Sequence, residues 1–138
     1  MDWANEVWDY TLPFAGAQIR VKRPLYYHHG IYVGNNQVIH FGNGDINDTK
    51  HPELNTVHQS SVEEFLDGGL LEVRVYSKDE KKKLLSTKKI IENAINGLGR
   101  KGYDFLKDNC EHFSNECAFG IKYSAQTNKL RGSIRELL

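Results

Sequence analysis

Residues 26–41, with the sequence YYHHGIYVGNNQVIHF, carry the clearest folding signal in this chain. The runs 26–34 and 37–41 are rich in aromatic and β-branched side chains, which favour extended strands. Asn35 and Asn36 separate the two runs, and two such residues between strand-like runs indicate a tight turn. This stretch therefore predicts a β-hairpin, from which the rest of the fold is expected to build outward.

Three other segments are typical of β-strands. Residues 16–23 alternate between apolar and polar side chains before Pro24 ends the run. Residues 56–60 form a short strand-like run, and residues 70–76 form a longer one. Residues 42–52 are rich in Gly, Asn and Asp and indicate a loop. We predict an α+β fold in which an antiparallel sheet packs against about three helices.

Two serines mark the starts of predicted helices. Ser61 and Ser77 each precede a glutamate by three residues, which is the spacing of a capping box. The first helix is expected to end near Asp67. The second is predicted to be the longest helix of the chain, with an apolar face between Leu84 and Leu98 and its lysines in solvent.

The N-terminal residues 1–15 are predicted to form an aromatic flap. Trp3, Val7 and Trp8 share one face of a short predicted helix that Pro13 ends. Large aromatic side chains usually bury, so the flap is expected to pack on the domain. The alternative is an interfacial anchor, because tryptophan also partitions to the boundary between membrane and water.

The composition indicates one globular domain and argues against some partners. The chain has 138 residues, two cysteines, and equal numbers of basic and acidic residues, 18 each. A balanced charge gives no reason to expect electrostatic capture of nucleic acid. Two cysteines suggest a reducing compartment rather than a disulfide framework. The sequence shows no signal peptide and no apolar stretch of membrane-spanning length, so a cytoplasmic location is expected.

The segment Asn109–Phe113, with the sequence NCEHF, is the strongest candidate for chemistry. Asn109 or Asp108 is a good N-cap because its side chain can accept hydrogen bonds from the free N–H groups of a helix start. Cys110 is therefore expected in the first helical turn or just before it. The N–H donors and the partial positive charge there would lower the pKa of the thiol and could hold an oxyanion.

The second cysteine has a different pattern around it. Cys117 shares an apolar stripe with Phe113 and Ile121, and such a cysteine usually behaves as a small buried hydrophobe. Cys110 has polar neighbours and does not fit that description. We therefore expect Cys110 to be the nucleophile.

A cysteine nucleophile needs a base, and the hairpin offers three histidines. His28 and His29 are adjacent on one strand, so their side chains point to opposite faces of the sheet. With a simple two-residue turn, His40 lies opposite Ile31 and on the face of His29. A one-residue bulge would move His40 to the face of His28 instead. The pattern leaves the choice of base open.

Taken together, three motifs resemble the lecithin:retinol acyltransferase family. These are the segment His28–Gly34, the segment Val38–His40 and the segment Asn109–Phe113, in that order. The resemblance extends from about residue 16 to residue 130 and is strong at the histidine and cysteine motifs. It implies a circularly permuted papain-like fold related to NlpC-type peptidases, with the nucleophile at a helix N-terminus.

The resemblance also implies roles for individual residues. Cys110 corresponds to the nucleophile, His28 to the base and His40 to the residue that orients the base. Tyr26 and Asn109 are expected to line the oxyanion or substrate site. No cofactor and no resident metal are implied.

The implied reaction takes an acyl chain from a phospholipid, or another acyl ester, to form a thioester on cysteine. The acyl group then passes to an amine, an alcohol or water. The chain lacks the C-terminal apolar anchor of animal members, so we expect at most transient contact with a membrane surface, through Trp3 and Trp8. The resulting division is an N-terminal flap of residues 1–15, a catalytic domain of residues 16–130 and a tail of residues 131–138.

Three other interpretations are compatible with the same residues. An NlpC-type cysteine peptidase or amidase would use the same catalytic residues on a peptide bond. A non-catalytic interaction module would keep only the fold. A zinc site formed by His28, His40 and Cys110 has suitable ligand types but lacks the tight spacing of known zinc motifs.

Overall fold

The computed structural model describes residues 6–42, 55–104 and 108–127, which form an antiparallel six-stranded sheet with helices on both faces. This confirms the predicted α+β class and the antiparallel sheet, whereas the permuted papain-like assignment stays a prediction. In chain order the elements are β1 (Val7–Asp9), β2 (Gln18–Lys22), β3 (Tyr27–Gly34), β4 (Gln37–Phe41), β5 (Val57–Ser61), α1 (Val62–Leu66), β6 (Glu72–Val75), α2 (Lys78–Lys83), α3 (Thr87–Asn96) and α4 (Cys110–Phe119). Residues 125–127 add one more helical turn.

The order of strands across the sheet is β1-β6-β2-β3-β4-β5. Strands β2, β3, β4 and β5 are neighbours in this sheet, so the predicted hairpin β3–β4 lies near its centre. None of the helices within the described residues combines the length and the apolar character that crossing a bilayer requires. Of the proposed division of the chain, residues 1–5 and 128–138 lie outside the described residues, and the bounds stay predictions.

The hairpin turn forms where the sequence predicted it. Gly34 pairs with Gln37, and Asn35 and Asn36 take φ angles of 51° and 59°. Positive φ at both central residues is the conformation whose twist matches that of the flanking strands. Asparagine tolerates it better than most residues because its short polar side chain can bond to nearby backbone.

A bulge in β3 directly precedes the turn and sets the register of the hairpin. The pairing shifts between Tyr32 and Gly34, so that Gly30 rather than Ile31 lies opposite His40. A one-residue shift reverses the face on which every later side chain lies. His40 therefore shares a face with His28, which was the alternative that the sequence pattern left open.

Two apolar cores lie on opposite faces of the sheet. The core on the α3 and α4 side contains the larger number of residues, and the core on the α1 side is centred on Phe65. The first core includes Ile31, Ile39, Phe41, Val57, Ile90, Ala94, Phe113, Cys117 and Ala118, and the second includes Ala17, Ile19, Val21, Val38, Phe65 and Val73.

Buried polar contacts also hold helix α4 on the sheet. Gln18 of β2 donates from Nε2 to Ser114 Oγ at 3.0 Å and to Asn115 Oδ1 at 2.9 Å. Arg74 of β6 donates to the same Asn115 oxygen at 3.0 Å. Buried hydrogen bonds have strict geometry, so these contacts fix where along the sheet the helix lies.

The predicted N-terminal helix is wrong. Val7–Asp9 instead form the edge strand β1, in which Val7 pairs with Val75 and Asp9 with Val73 of β6. The backbone partners of this strand are more than sixty positions away in the chain, and the spacing of nearby aromatic residues cannot reveal them. Trp3, the other residue of the predicted helix face, lies outside the described residues.

Trp8 is half-buried and packs on the domain. The guanidinium of Arg20 lies 4.3 Å from the centroid of its ring, and its indole Nε1 donates to Glu6 at 3.2 Å. A cation above an indole face and a satisfied N–H are the usual contacts of a packed tryptophan.

The predicted long helix is also wrong, because the chain breaks it into α2 and α3. The capping box at Ser77 is present, but Leu84 takes an extended conformation and Ser86 caps a new helix by accepting from Lys89 N–H. The break lets the backbone N–H of Leu85 donate to Ala118 of α4 at 2.9 Å. Ser61, in contrast, caps the short helix α1 as predicted.

Candidate active site

Helix α4 begins at Cys110, and its N-cap is Asn109, one of the two predicted candidates; the other was Asp108. The side-chain oxygen of Asn109 accepts from the backbone N–H groups of Glu111 and His112 at 2.9 and 3.0 Å. In return, the N–H of Asn109 donates to Nδ1 of His112 at 3.0 Å. His112 thus completes a capping box, a position at which glutamate or glutamine is more usual.

The sulfur of Cys110 lies against the backbone of strand β3. The side chain is 1% exposed, and its thiol donates to the carbonyl oxygen of Tyr27 across 3.8 Å. The backbone N–H groups of His29 and Glu111 and the hydroxyl of Tyr103 lie close enough to the sulfur to lower its pKa. The sulfur therefore meets backbone groups on both sides of His28.

This contact is possible because β3 has an unpaired edge at that point. Along an antiparallel strand, alternate residues turn their backbone groups to opposite sides. Tyr32 donates to Ala17 and Tyr26 accepts from Arg23, so the even-numbered residues of β3 face β2. The backbone groups of Tyr27 and His29 consequently face away from β2.

Strand β4 does not reach this part of the edge, since its pairing with β3 ends at Gly30 and His40. Gln126 takes its place at Tyr27. The N–H of Tyr27 donates to Gln126 Oε1 at 2.6 Å, and Gln126 Nε2 donates back to the Tyr27 oxygen at 3.2 Å. Cys110 occupies the adjoining position, between Tyr27 and His29.

His28 and His40 form a hydrogen-bonded pair on the other face of the sheet. Nε2 of His28 lies 2.8 Å from Nδ1 of His40, and both side chains are buried. Phe65 of α1 stacks on the His28 ring with centroids 5.1 Å apart. Gly30 leaves room for the Phe65 ring, because a Cβ at position 30 would lie 2.9 Å from Phe65 Cε1.

The hydrogen bonds of Ser60 fit one assignment of the tautomers of the two histidines. When the Ser60 hydroxyl donates to the Ser61 carbonyl at 3.1 Å, its oxygen accepts from Nε2 of His40 at 2.8 Å. Nδ1 of neutral His40 then carries a lone pair and accepts from Nε2 of His28. This leaves the lone pair of His28 on Nδ1.

Burial determines the protonation states of the site. It lowers the pKa of His28 from 6.5 to about 3, together with coulombic repulsion, of which the largest part comes from Arg23. It lowers the pKa of His40 well below 6.5 as well. Both rings are neutral at neutral pH, since desolvation disfavours a charged imidazole.

Burial also raises the pKa of the Cys110 thiol to about 12. The N–H groups of His29 and Glu111 and the Tyr103 hydroxyl act in the opposite direction but do not outweigh it. The expectation that the helix start lowers this pKa is therefore wrong for the closed site, because desolvation of a thiolate exceeds the stabilisation by a few donors.

The two histidines of β3 relate differently to Cys110. His29 faces α4, whereas His28 faces α1. No hydrogen bond within the described part of the chain joins the sulfur to the His28 ring. However, the sulfur, on the α4 side of the sheet, contacts the backbone at the open edge of β3, and an edge can be reached from both faces. Strand alternation therefore does not by itself select the base.

Tyr26 and Asn109 occupy different surroundings. Tyr26 lines a cavity of about 470 Å³ together with Tyr27, His29 and Gln126. Asn109 is buried in the helix cap, and its Nδ2 donates to Ser124 at 3.4 Å. Their predicted substrate-lining roles stay predictions. Within the described residues, no group of three or more His, Cys, Asp or Glu is arranged to hold a metal ion.

Sequence reasoning missed Ser60, His58 and Gln126. Ser60 bonds to His40, and the His58 ring lies 4.3 Å from the His40 ring. Strand β5, which carries both, pairs with β4. No motif marks these residues, because their proximity to the site depends on pairing between strands that a long loop separates.

Comparison with known proteins identifies one family. The lecithin retinol acyltransferase family model matches residues 12–123. Rat lecithin retinol acyltransferase is 28% identical over 89% of this chain and 62% of its own length. Human phospholipase A and acyltransferase 3 is 30% identical over 83% of this chain and 75% of its own length. The mouse protein of that name is 32% identical over the same shares.

The chain spans about three fifths of the length of the rat, mouse and human lecithin retinol acyltransferases that it matches. The matched range of the family model includes the β3–β4 hairpin and the start of α4, and it covers most of the 138 residues. The chain belongs to the lecithin retinol acyltransferase family.

Proposed function

We propose that this protein is a cysteine-dependent acyltransferase or acyl hydrolase that acts on phospholipid esters. Its family membership and the names of its relatives, lecithin retinol acyltransferase and phospholipase A and acyltransferase 3, support an acyl-transferring reaction. The observation that carries the proposal is the position of the Cys110 sulfur, between backbone groups that flank the paired histidine His28.

In the first step, Cys110 attacks the ester carbonyl of the lipid. The thiol proton passes to Nδ1 of His28, the nitrogen that the hydrogen bonds to His40 and Ser60 leave with a lone pair. A new S–C bond forms, and the ester C–O bond breaks. The lysolipid alcohol leaves with the proton that His28 returns, and a thioester remains on Cys110.

His40 and Ser60 act as positioning residues in this scheme. They hold His28 in one tautomer, and the hydrogen bond from His28 to His40 stabilises the imidazolium that forms during attack. The low pKa of His28 in the closed site disfavours a thiolate–imidazolium pair at rest. Proton transfer is therefore expected together with attack rather than before it.

Backbone donors near the sulfur would stabilise the oxyanion. The N–H of Glu111 belongs to the first turn of α4, and the N–H of His29 comes from the open edge of β3. Once the sulfur bonds to the carbonyl carbon, these donors lie close to the developing negative charge, where preorganised N–H groups are most effective. Tyr26, on the wall of the neighbouring cavity, is proposed to line the same region.

In the second step, an amine, an alcohol or water attacks the thioester. The acceptor loses one proton, a new N–C or O–C bond forms, and the C–S bond breaks with its electron pair going to sulfur. The thiol is then restored by protonation. Hydrolysis and transfer therefore differ only in the acceptor.

Access to the thiol requires a rearrangement, since the side chain is 1% exposed. We propose that transient contact with a lipid surface provides it. Leu12 and Leu25 are 89% and 82% exposed, and Leu25 lies on the wall of the cavity beside Tyr26. Exposed leucines next to a lipid site can enter the interface and loosen the loop that carries them.

The test uses phosphatidylcholine vesicles and mass spectrometry of the acid-quenched protein. The native chain is expected to gain one acyl mass on Cys110 and to release lysolipid. Cys110→Ser and His28→Ala should show neither product, whereas the matched control Cys117→Ser should behave like the native chain. Turnover without any acyl adduct, or an adduct on Cys117, would contradict the proposal.

A non-catalytic interaction module is the second candidate, and the closed thiol is the observation that favours it. A pKa of about 12 and near-complete burial would make Cys110 unreactive. The two candidates differ in one measurement. If lipid vesicles leave the alkylation rate of Cys110 unchanged and equal to that of Cys117, the binding module is the better description.

A further inference from the structure

His29, the neighbour of the proposed base, has its own buried environment on the α4 side of the sheet. Its side chain is 2% exposed and touches the edge of the Trp8 ring, with centroids 5.5 Å apart. Nε2 of His29 has no hydrogen-bond partner within residues 6–42, 55–104 and 108–127. A buried polar atom without a hydrogen-bond partner is rare in native proteins, and a bound ligand is one explanation for it.

An acidic group, the carboxylate of Glu111, faces this nitrogen. Its Oε2 lies 3.7 Å from Nε2 of His29. That separation is too long for a hydrogen bond. It is short enough for one nitrogen or oxygen atom of a ligand to hydrogen-bond with both groups at once.

Glu111 is held in this orientation by its other oxygen. Oε1 accepts from Ser124 Oγ at 2.6 Å, from the backbone N–H of Gln126 at 3.2 Å and from its side chain at 3.4 Å. Three donors on one oxygen fix the plane of the carboxylate and leave Oε2 directed at His29.

His29 and Glu111 open into a cavity of about 470 Å³. Its wall also includes Arg20, Tyr26, Tyr27 and Gln126. The Cys110 thiol donates to the carbonyl oxygen of Tyr27, and Tyr27 and His29 both line this cavity, so the cavity adjoins the thiol. His28 and His40 are not part of its wall.

His29 is suited to receive a proton there. Burial, together with the positive charges of Arg20 and Arg74, lowers its pKa well below 6.5, so the ring is neutral at neutral pH. Trp8, Arg20 and Glu111 are the groups that face it from β1, β2 and α4. A neutral imidazole beside a carboxylate can accept a proton while the carboxylate holds the group that loses it.

We propose that His29 and Glu111 bind the acyl acceptor and that His29 is the base of the second step, separate from His28, which serves the first. The inference rests on the proposed thioester chemistry. The acceptor is water or a neutral primary amine, whose attacking atom carries two hydrogens; it donates one to Glu111 Oε2 and the other to Nε2 of His29. Its proton moves to Nε2 as its lone pair attacks the thioester carbon.

The atoms balance in this step. The N–H or O–H bond of the acceptor breaks, the new acyl bond forms, and the C–S bond breaks with its electrons on sulfur. The thiolate takes a proton from water, and His29 returns its proton to solvent through the cavity. The net result is an acylated acceptor and a free Cys110 thiol.

The test measures formation and decay of the Cys110 thioester separately, by rapid quenching with excess protein over phosphatidylcholine. For His29→Gln we expect thioester formation within about threefold of native and decay about 10²-fold slower, the usual contribution of one general base. Hydroxylamine, a strong nucleophile that needs no base at neutral pH, should restore most of the decay rate. Glu111→Gln should slow decay by about tenfold, with weaker binding of an added amine.

The outcomes separate this inference from the proposed function. If the native chain forms no thioester, the proposed function fails and the acceptor site with it. If the native chain forms the thioester, two results for His29→Gln would show that His29 is not the second base. One is that formation and decay of the thioester slow equally, and the other is that neither slows. If His29→Gln does not fold, His29→Phe replaces it, because phenylalanine keeps a ring against Trp8. His28→Gln should show the opposite pattern, a slower formation of the thioester.

Discussion

Cys110 and Cys117 lie two turns apart on the same helix, and simple measures do not distinguish them. They are 1% and 3% exposed, and burial raises the pKa of each thiol to about 12. Both belong to the apolar core that α4 forms with the sheet. Burial and acidity therefore cannot identify a nucleophile in this protein.

The surroundings of the two sulfurs differ. Cys110 meets backbone N–H groups, a carbonyl and a tyrosine hydroxyl at the open edge of β3. Cys117 lies on the wall of a cavity of about 620 Å³ between α3 and α4. Besides burial, the charges of Glu116 and Arg100 affect the pKa of its thiol. The comparison teaches that what distinguishes a reactive cysteine is the set of groups able to move a proton or hold an oxyanion.

The largest expected effect is on turnover. Cys110→Ser should lower phospholipid hydrolysis by about 10³-fold or more, because loss of a nucleophile removes the covalent route. Cys117→Ser should stay within about threefold of native, with some loss of stability from a hydroxyl in an apolar site. Release of lysolipid from vesicles measures both. Equal losses of hydrolysis in the two variants would contradict the proposed difference between the two cysteines.

The next expected effect is on alkylation. Raising a thiol pKa from 9.0 to about 12 reduces the thiolate fraction near neutral pH by about 10³-fold, so both cysteines should react far more slowly with iodoacetamide than in urea-unfolded protein. Lipid vesicles should speed the reaction of Cys110 at least tenfold and leave Cys117 unchanged. Peptide mapping by mass spectrometry distinguishes the two sites.

The histidine pair should affect only the chemistry of Cys110. His28→Gln should slow thioester formation by about 10²-fold or more, and His40→Gln by about tenfold, since His40 acts through His28. His58→Gln is the matched control, because its Nδ1 bonds to the Thr56 carbonyl rather than to the pair. A loss in His58→Gln as large as that in His40→Gln would contradict the assigned roles.

A substitution of Gln126 tests the role of the β3 edge that Cys110 contacts. Gln126→Met keeps the approximate size of the side chain but removes both hydrogen bonds to Tyr27. We expect about a tenfold loss of acyl transfer and about 1–3 kcal/mol of stability, from unsatisfied backbone groups. Alkylation of Cys117 should not change. Unchanged acyl transfer in a folded variant would show that the edge does not need Gln126.

The two cysteines should contribute equally to the loss of stability at high pH. Each thiol has a folded pKa above its unfolded value, so its contribution is present below pH 9 and is lost as the pH rises towards 12. Between pH 9 and pH 10.5 each buried thiol should account for a loss of about 2 kcal/mol. Urea denaturation at a series of pH values should show a similarly reduced slope in Cys110→Ser and Cys117→Ser.

Predictions that depend on neighbouring residues were confirmed. The turn at Asn35 and Asn36, the cap of α4 by Asn109 and the capping box at Ser77 were visible in the sequence and are present. In each case the hydrogen bonds join residues at most four positions apart, so residue type is enough to predict them.

Predictions that depend on distant residues failed or stayed open. The edge strand at Val7–Asp9 needed β6, and the break at Leu84 needed a bond to Ala118 of α4. Helical periodicity could not predict either, because an apolar face is present whether the helix continues or ends. The choice of face for His40 depended on a bulge at the hairpin, for which the sequence offered two registers.

The sequence by itself determined the hairpin, the capped start of α4 and the family to which they belong, since short-range hydrogen bonds and contiguous motifs carry that information. Only the tertiary structure decided that His40 pairs with His28, that Gln126 holds Tyr27 from 99 positions away, and that the Cys110 sulfur lies at the edge of β3. Those contacts depend on how strands and helices pack, and packing is set by the whole core rather than by any one segment.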